Sequence, residues 1–465
     1  MSELKNFDQT PEARDIAHHF HGYTDARRHE ETGPMIIENG QGIYVTDNNG
    51  NRYIEGLAGL WSVGVGFQEQ RLIDAATAQM KQLPFYHNFG HKSHNSAIDL
   101  AEQLIGLAHV PMSKVFYTNS GSEANDTVLK MVWYRSNALG KPEKKKVIAR
   151  NRGYHGVTIA AASLTGLPNN HRSFDLPLPG ILHTLAPHYW KEGRDGETEE
   201  QFATRCADEL DALIQREGPE TVAAFWAEPV MGAGGVVVPP KTYFEKIQAV
   251  LAKYDILFVA DEVICGFGRT GEMFGSITYG IRPDVIVMSK QITSSYVPFS
   301  AIMMNDRFYG PIADESHKIS TFGHGYTAGG HPLGAAVALE NLAIIKERDL
   351  VANARDVGAH FRGRLETLAD SPLVGEIRGV GLIAAVELVN DKATRSVKTV
   401  GTLGGLMNTA MQRNGLISRN MSDAVAFCPP MIITREQADD MFEIIAKSLR
   451  EVEAAVGATS AVSAA

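Results

Sequence analysis

Two ionisable residues stand where a folded chain seldom tolerates them. Lys290 ends the apolar run Val285-Ile286-Val287-Met288-Ser289, and Asp261 follows Ile256-Leu257-Phe258-Val259-Ala260. A lysine delivered by a buried strand loses solvation, which lowers its pKa and exposes the free amine needed to attack an aldehyde, as Schiff-base chemistry requires. A snorkelling lysine with its tip in water explains the position equally. An acid at the end of five apolar residues calls for a charged partner. A protonated pyridine nitrogen is one, held by a charge-assisted hydrogen bond of roughly 1.5–3 kcal/mol. The alternatives are a cap on the next helix or a pair with Arg269.

A third segment, Tyr117-Thr118-Asn119-Ser120-Gly121-Ser122-Glu123-Ala124-Asn125, sets a small, hydroxyl-rich turn before a helical run that continues to about Ala138. The first turn of a helix has free N–H groups and a favourable dipole, so it can hold a phosphate. A serine N-cap with Glu123 beside the dipole is the simpler reading. Tyr154, in Gly153-Tyr154-His155-Gly156, can stack on a flat ring or fill the core. The small residues Thr293-Ser294-Ser295 beyond Lys290 leave room for a cofactor. His155 reads as a local hydrogen-bonder. The stretch His18-His19-Phe20-His21 has no ligand pattern at metal spacing, so no metal is expected.

These groups need strands to deliver them. Short β-rich runs at Val115–Thr118, Val147–Arg150, Val222–Ala227, Ile256–Val263, Val285–Ser289 and Ser300–Met304 alternate with helical or loop stretches. That alternation predicts an α/β fold with a mostly parallel sheet covered by helices. Ligands of such sheets bind beyond the carboxyl ends of the strands, so polar groups at several ends converge on one crevice. Later, helical periodicity over Pro332–Glu347, Val351–Leu368 and Arg435–Val456 surrounds short strands near Gly379–Val386 and Val425–Phe427, a smaller α+β unit. A hairpin, Gly42–Asp47 and Arg52–Leu57 about the turn Asn48–Asn51, is expected to pack with it. The expected organisation is an N-terminal segment 1–70, a large domain 71–340 and a small domain 341–465.

Composition narrows the partners. The 465 residues carry 44 Lys+Arg against 54 Asp+Glu, a formal charge of −10, which argues against nucleic acid or an anionic membrane. Cys206, Cys265 and Cys428 form no C-x-x-C pair, so neither a disulfide framework nor a zinc site is indicated, and a reducing cytoplasm fits. The stretch Met1–Asp8 lacks the features of a signal peptide, and no run of about 18 apolar residues follows.

In order along the chain, Tyr117–Asn125, Tyr154-His155-Gly156, Ala227-Glu228-Pro229-Val230-Met231-Gly232-Ala233-Gly234-Gly235, Asp261–Gly271 and Ser289-Lys290 resemble the motifs of the class III aminotransferases, fold-type I pyridoxal-phosphate enzymes, and more narrowly their amine:pyruvate or ω-transaminase branch. The resemblance runs from about residue 15 to 450. It implies that Lys290 carries the cofactor as a Schiff base and later moves the substrate proton, while Asp261 binds the ring nitrogen. It also implies that Gly121 and Ser122 hold the phosphate with Thr327 of a second subunit, that Tyr154 and Val263 flank the ring, and that Glu228 supports the site near the ring hydroxyl. A homodimer with shared active sites follows, as does ping-pong transfer from an amine to a keto acid, pyruvate by the family's habit, with S selectivity.

For substrate choice, the resemblance points to Tyr23, Leu60, Trp61, Phe89, Val157 and Ile264 as mostly apolar walls favouring a hydrophobic amine. Arg419 matches a mobile arginine that pairs with a keto-acid carboxylate and swings away for apolar substrates. Gly90, where relatives often have a second aromatic, and Asn420-Met421 after Arg419 depart from the pattern and imply a larger pocket. Transaminases of β-alanine, taurine or putrescine, other pyridoxal-phosphate chemistries, and a non-catalytic cofactor-binding protein share the same Lys and Asp and remain open.

Overall fold

The polar strand ends meet because six of the seven strands in the large sheet point the same way. In the computed structural model, which describes residues 10–463, their spatial order is Lys114–Thr118, Ser300–Met304, Val285–Met288, Leu257–Asp261, Val222–Ala227, Lys146–Arg150, Ile181–Thr184. Only Ser300–Met304 runs against the rest. The Met1–Asp8 stretch read for targeting lies outside the described residues.

The strands Val222–Ala227, Leu257–Asp261, Val285–Met288 and Ser300–Met304 are buried at every position. A sheet covered on both faces selects such unbroken apolar runs rather than alternation. On one face Val128, Leu129 and Val132 of helix Gly121–Ala138 pack against Trp226, Val259 and Val287. On the other, Phe202 and Leu210 of helix Glu199–Glu217 and Phe244 of helix Tyr243–Lys253 meet Phe225 and Phe258. The mixed α/β architecture expected from the sequence is present.

Ile181–Thr184 is a strand that the sequence reading missed; it pairs in parallel with Val147–Arg150. The single strand expected near Gly379–Val386 is instead a hairpin, Val374–Val380 with Ile383–Leu388. Its turn needs a glycine. Gly381 has φ 53°, and a Cβ there would come within 2.4 Å of the Arg269 carbonyl oxygen. The first hairpin forms where expected, between Tyr44–Asp47 and Arg52–Glu55. The Asp47 carboxylate accepts the N–H groups of Asn49 (2.9 Å) and Asn51 (2.8 Å) and thereby folds the turn on itself.

That hairpin also takes up a strand from the far end of the chain, Leu416–Ile417, parallel to Arg52–Glu55. Helices Pro332–Glu347, Leu350–Glu366 and Arg435–Ser463 follow the expected periodicities to within two residues at the interior ends. Among the described residues all three cysteines are free and buried, and no helix is long and apolar enough to cross a membrane.

Candidate active site

Beyond the carboxyl ends of the parallel strands lies a cavity of about 200 Å³. Tyr23, Leu60, Trp61, Gly121, Ser122, Tyr154, His155, Glu228, Asp261, Val263, Ile264, Ser289, Lys290 and Arg419 line it. Residues read separately along the sequence thus share one wall.

Lys290 follows the strand Val285–Met288 and holds φ 47°, in the left-handed region that non-glycine residues seldom occupy. Such strain persists only where the surroundings fix it, and it is common at functional positions. Burial lowers the Lys290 pKa, with Asp261 and Glu228 pulling the other way. The amine is therefore closer to its free-base form than a surface lysine. Thr293 and Ser294 do not line the cavity: Thr293 donates to the Val297 carbonyl (2.7 Å) and Ser294 to Asn341 (2.8 Å). Both hydroxyls belong to the core packing, and of the nearby small residues only Ser289 faces the cavity.

Asp261 is the last residue of its strand and is 3% exposed. Its Oδ2 accepts Asn125 Nδ2 (2.9 Å) and faces His155 Nδ1 (2.8 Å), while Oδ1 accepts the Val263 N–H (3.1 Å). An ionised carboxylate only accepts, so His155 donates from Nδ1. Asn125 is itself fixed by the indole N–H of Trp226 (2.9 Å). Oδ1 keeps acceptor capacity on the cavity side. Arg269, the alternative partner, is occupied elsewhere: it donates to the carbonyls of Leu382 (3.0 Å) and Pro429 (2.6 Å).

Neither Asn125 nor His155 was read as part of the site. The clue in the sequence was Asn125 itself, an amide inside a helix on the face that carries Ala124, Val128 and Leu129. A polar side chain there must find a partner.

Helix Gly121–Ala138 begins at the cavity. Ser120 caps it by accepting the Glu123 N–H (3.2 Å), as the simpler reading held, yet its first amides still have no intrahelical partner. A Cβ at Gly121 would lie 3.1 Å from Val263 Cγ2, and one at Gly156 would lie 2.5 Å from Ser122 Oγ. Ser122 Oγ accepts the Val157 N–H (3.0 Å). Glu228, 3% exposed, accepts the N–H groups of Tyr154 (3.0 Å) and Gly232 (2.9 Å), and burial raises its pKa. Tyr154 and Val263 both border the cavity.

This arrangement fits a phosphate-bearing aromatic aldehyde. A glycine-lined helix start could hold the phosphate, the oriented carboxylate a cationic ring nitrogen, and the desolvated amine the aldehyde.

On the apolar side, Trp61 is buried with φ 65°, Leu60 and Tyr23 are exposed at the mouth, and Ile264 lies below. The Tyr23 hydroxyl accepts from Asn170 (2.6 Å) and lies 3.5 Å from that of Tyr154. The Arg419 guanidinium sits 6.0 Å from the Tyr23 ring centre and has no ion pair among the described residues.

Phe89, Val157 and Thr327 do not line this cavity. Val157 is 58% exposed on its outer lip. Phe89 lies on a different face, where a Cβ at Gly325 would touch its ring at 2.7 Å, and Thr327 is exposed on the adjoining loop. Gly90, beside Phe89, has φ 58°, a Cβ there would meet nothing nearer than Lys92 Nζ at 3.9 Å, and within one chain it does not line the cavity. The Asn420 amide donates to the Ser422 carbonyl (2.9 Å) and also stays outside.

A family model described as aminotransferase class-III matches residues 25–449. A crystal structure of the omega transaminase from Pseudomonas jessenii in complex with PMP superposes with a TM-score of 0.96 at 58% identity, covering 96% of this chain and 99% of that one. The structure of a transaminase with L-Ala superposes with a TM-score of 0.90 at 64% identity, covering 91% of this chain and 100% of that one. The gamma aminobutyrate transaminase 1, mitochondrial, of Solanum lycopersicum is 48% identical over 433 residues, 93% of this chain and 84% of the relative.

Proposed function

Because this chain belongs to the class-III aminotransferases, enzymes that use pyridoxal phosphate, we propose that it moves an amino group from a hydrophobic primary amine to pyruvate, with S selectivity. The observation that carries the reading is the cavity that joins Lys290 and Asp261 to an apolar wall of Leu60, Trp61 and Ile264 and a single unpaired guanidinium, Arg419.

When bound, the cofactor supplies an aldehyde that captures the amino group and a cationic ring that accepts electrons. Asp261 would keep that ring cationic, with His155 and Asn125 holding the carboxylate still. The N–H groups of Gly121 and Ser122 would hold the phosphate, Tyr154 and Val263 would flank the ring, and Glu228 would support the ring hydroxyl. Nζ of Lys290 would carry the proton from the substrate carbon that bears nitrogen to the cofactor's aldehyde carbon, and in the opposite direction once the keto acid is bound. Arg419 pairs with the carboxylate of the keto acid, whereas the apolar wall holds the amine. An aldehyde or ketone leaves first and alanine second.

The first test follows the yellow band of the holoenzyme. Adding (S)-1-phenylethylamine without a keto acid should bleach it, and pyruvate should restore it; no bleaching by the S amine, or equal bleaching by the R amine, overturns the reading. A second reading has specific support, since a relative 48% identical is a gamma aminobutyrate transaminase. Arg419 would then pair with the ω-amino acid, and γ-aminobutyrate or β-alanine would bleach the band where 1-phenylethylamine does not.

Arg419→Leu separates the two halves of the proposed reaction. Loss of a charge-assisted bond should raise KM for pyruvate about 10–100-fold, while the single-turnover rate with (S)-1-phenylethylamine stays within about twofold. An unchanged pyruvate KM would remove Arg419 from the site.

Phe89 and the exposed Ile98 line one groove with Gly325 and Tyr326, the residue before Thr327, and the exposed Phe85 and Tyr86 stand just before Phe89 in the chain. That grouping supports a homodimer in which this face completes the partner's cavity. Mixing and refolding Lys290→Ala with Thr327→Trp, each inactive alone, should recover about a quarter of parent activity: half the dimers are mixed, and each mixed dimer has one intact site. No recovery would show that each chain supplies its whole site. Three free buried cysteines fit a reducing compartment such as the cytoplasm.

A further inference from the structure

The histidine-rich stretch near the N-terminus lacks a ligand pattern in sequence, yet the fold supplies one. Asp15 lies in the last turns of helix Pro11–His18, His19 caps that helix, and His21 follows in the loop. Asp15 Oδ2 is 3.1 Å from His19 Nδ1, and His21 Nε2 straddles the same carboxylate, 2.8 Å from Oδ1 and 3.1 Å from Oδ2. The ligand atoms of these three residues all lie within 4.8 Å of one another. Around a metal with bonds of about 2.0–2.2 Å, neighbouring tetrahedral ligand atoms sit a little over 3 Å apart, the spacing that the carboxylate already keeps from both imidazoles.

A fourth residue completes the arrangement from outside. His29, on helix Ala26–Thr32, places Nε2 2.9 Å from Asp15 Oδ1, the other oxygen of the same carboxylate. A carboxylate ligand held by a hydrogen bond on its second oxygen is the usual support of a metal site. The His21 ring lies between the other two, with centroids 4.2 Å from His19 and 4.3 Å from His29. A divalent cation would share the carboxylate with the two rings. His19 is 66% exposed, so the site opens to solvent on that side and leaves a coordination position for water.

We propose that Asp15, His19 and His21 form a site for a first-row divalent cation of the zinc type, with His29 orienting the carboxylate. Two imidazoles and one carboxylate suit zinc better than calcium or magnesium, which prefer oxygen. The site would tie the end of the first helix to the loop that carries Tyr23. A bound cation would therefore stiffen the strap that forms one wall of the cavity, without touching the chemistry at Lys290.

The test is a calorimetric titration of chelator-treated holoenzyme with zinc chloride. One zinc per chain should bind, the site should vanish in His19→Gln, and it should weaken about 10–100-fold in His29→Gln. His19 is exposed enough that its replacement should leave the thermal transition unchanged, which separates lost binding from lost folding. Failure of the parent to bind zinc saturably, or equal binding by His19→Gln, overturns the proposal.

Discussion

Lys290→Ala is expected to lower turnover of every amine by about 10⁴-fold, the upper range for removal of a positioned base, with the carbonyl-capturing amine lost as well. The backbone there is already at φ 47°, which costs alanine no more than lysine, so the variant should fold. Asp261, Gly121 and Ser122 remain, and the cofactor should stay bound with a shifted absorption band. A small primary amine such as methylamine, admitted to the space the side chain leaves, should restore part of the lost rate. Turnover near the parent value would put the base elsewhere. Tight cofactor binding without turnover in the parent itself would instead favour a sensor.

Asp261→Asn should cost about 10²–10³-fold in kcat, the range for deleting one preorganised electrostatic contact. The amide matches the carboxylate in shape and can still accept from Asn125 or His155, so the fold survives while the negative charge opposite the ring nitrogen is gone. His155→Gln keeps that charge and loosens its orientation, and a smaller loss, about tenfold, is expected. The order of the losses carries the argument. If His155→Gln were as damaging as Asp261→Asn, the imidazole would act on the cofactor directly rather than through the acid.

The two residues behind these predictions were legible because each ends an unbroken apolar run, and a charge there has few structural explanations. Gly121, Ser122, Tyr154 and Glu228 became legible through ordered motifs. The partners of Asp261 did not, since His155 and Asn125 reach it across the sheet and no local spacing encodes that contact. Ile181–Thr184 is four residues long with a histidine inside, too short to separate from a loop by periodicity. The hairpin at Val374–Leu388 hid because its turn, Gly381-Leu382, is itself apolar. Phe89 and Thr327 read as site residues only by resemblance, and the single chain puts them on another face. The cluster around Asp15 shows the opposite limit: histidines without a pattern acquire one when a second helix brings His29 to the same carboxylate.

The parallel pairing of Leu416 with Ile54 joins the first hairpin to a strand that lies about 360 residues further along the chain. At about 5–20 residues per second, the hairpin waits tens of seconds on the ribosome before Leu416–Ile417 exists. Until then its outer edge, Arg52–Glu55, offers unpaired backbone groups to any extended chain nearby. The large sheet closes earlier, from strands that all lie between residues 114 and 304. Maturation should therefore be biphasic, with a late, high-contact-order step in which the nascent chain most needs a chaperone.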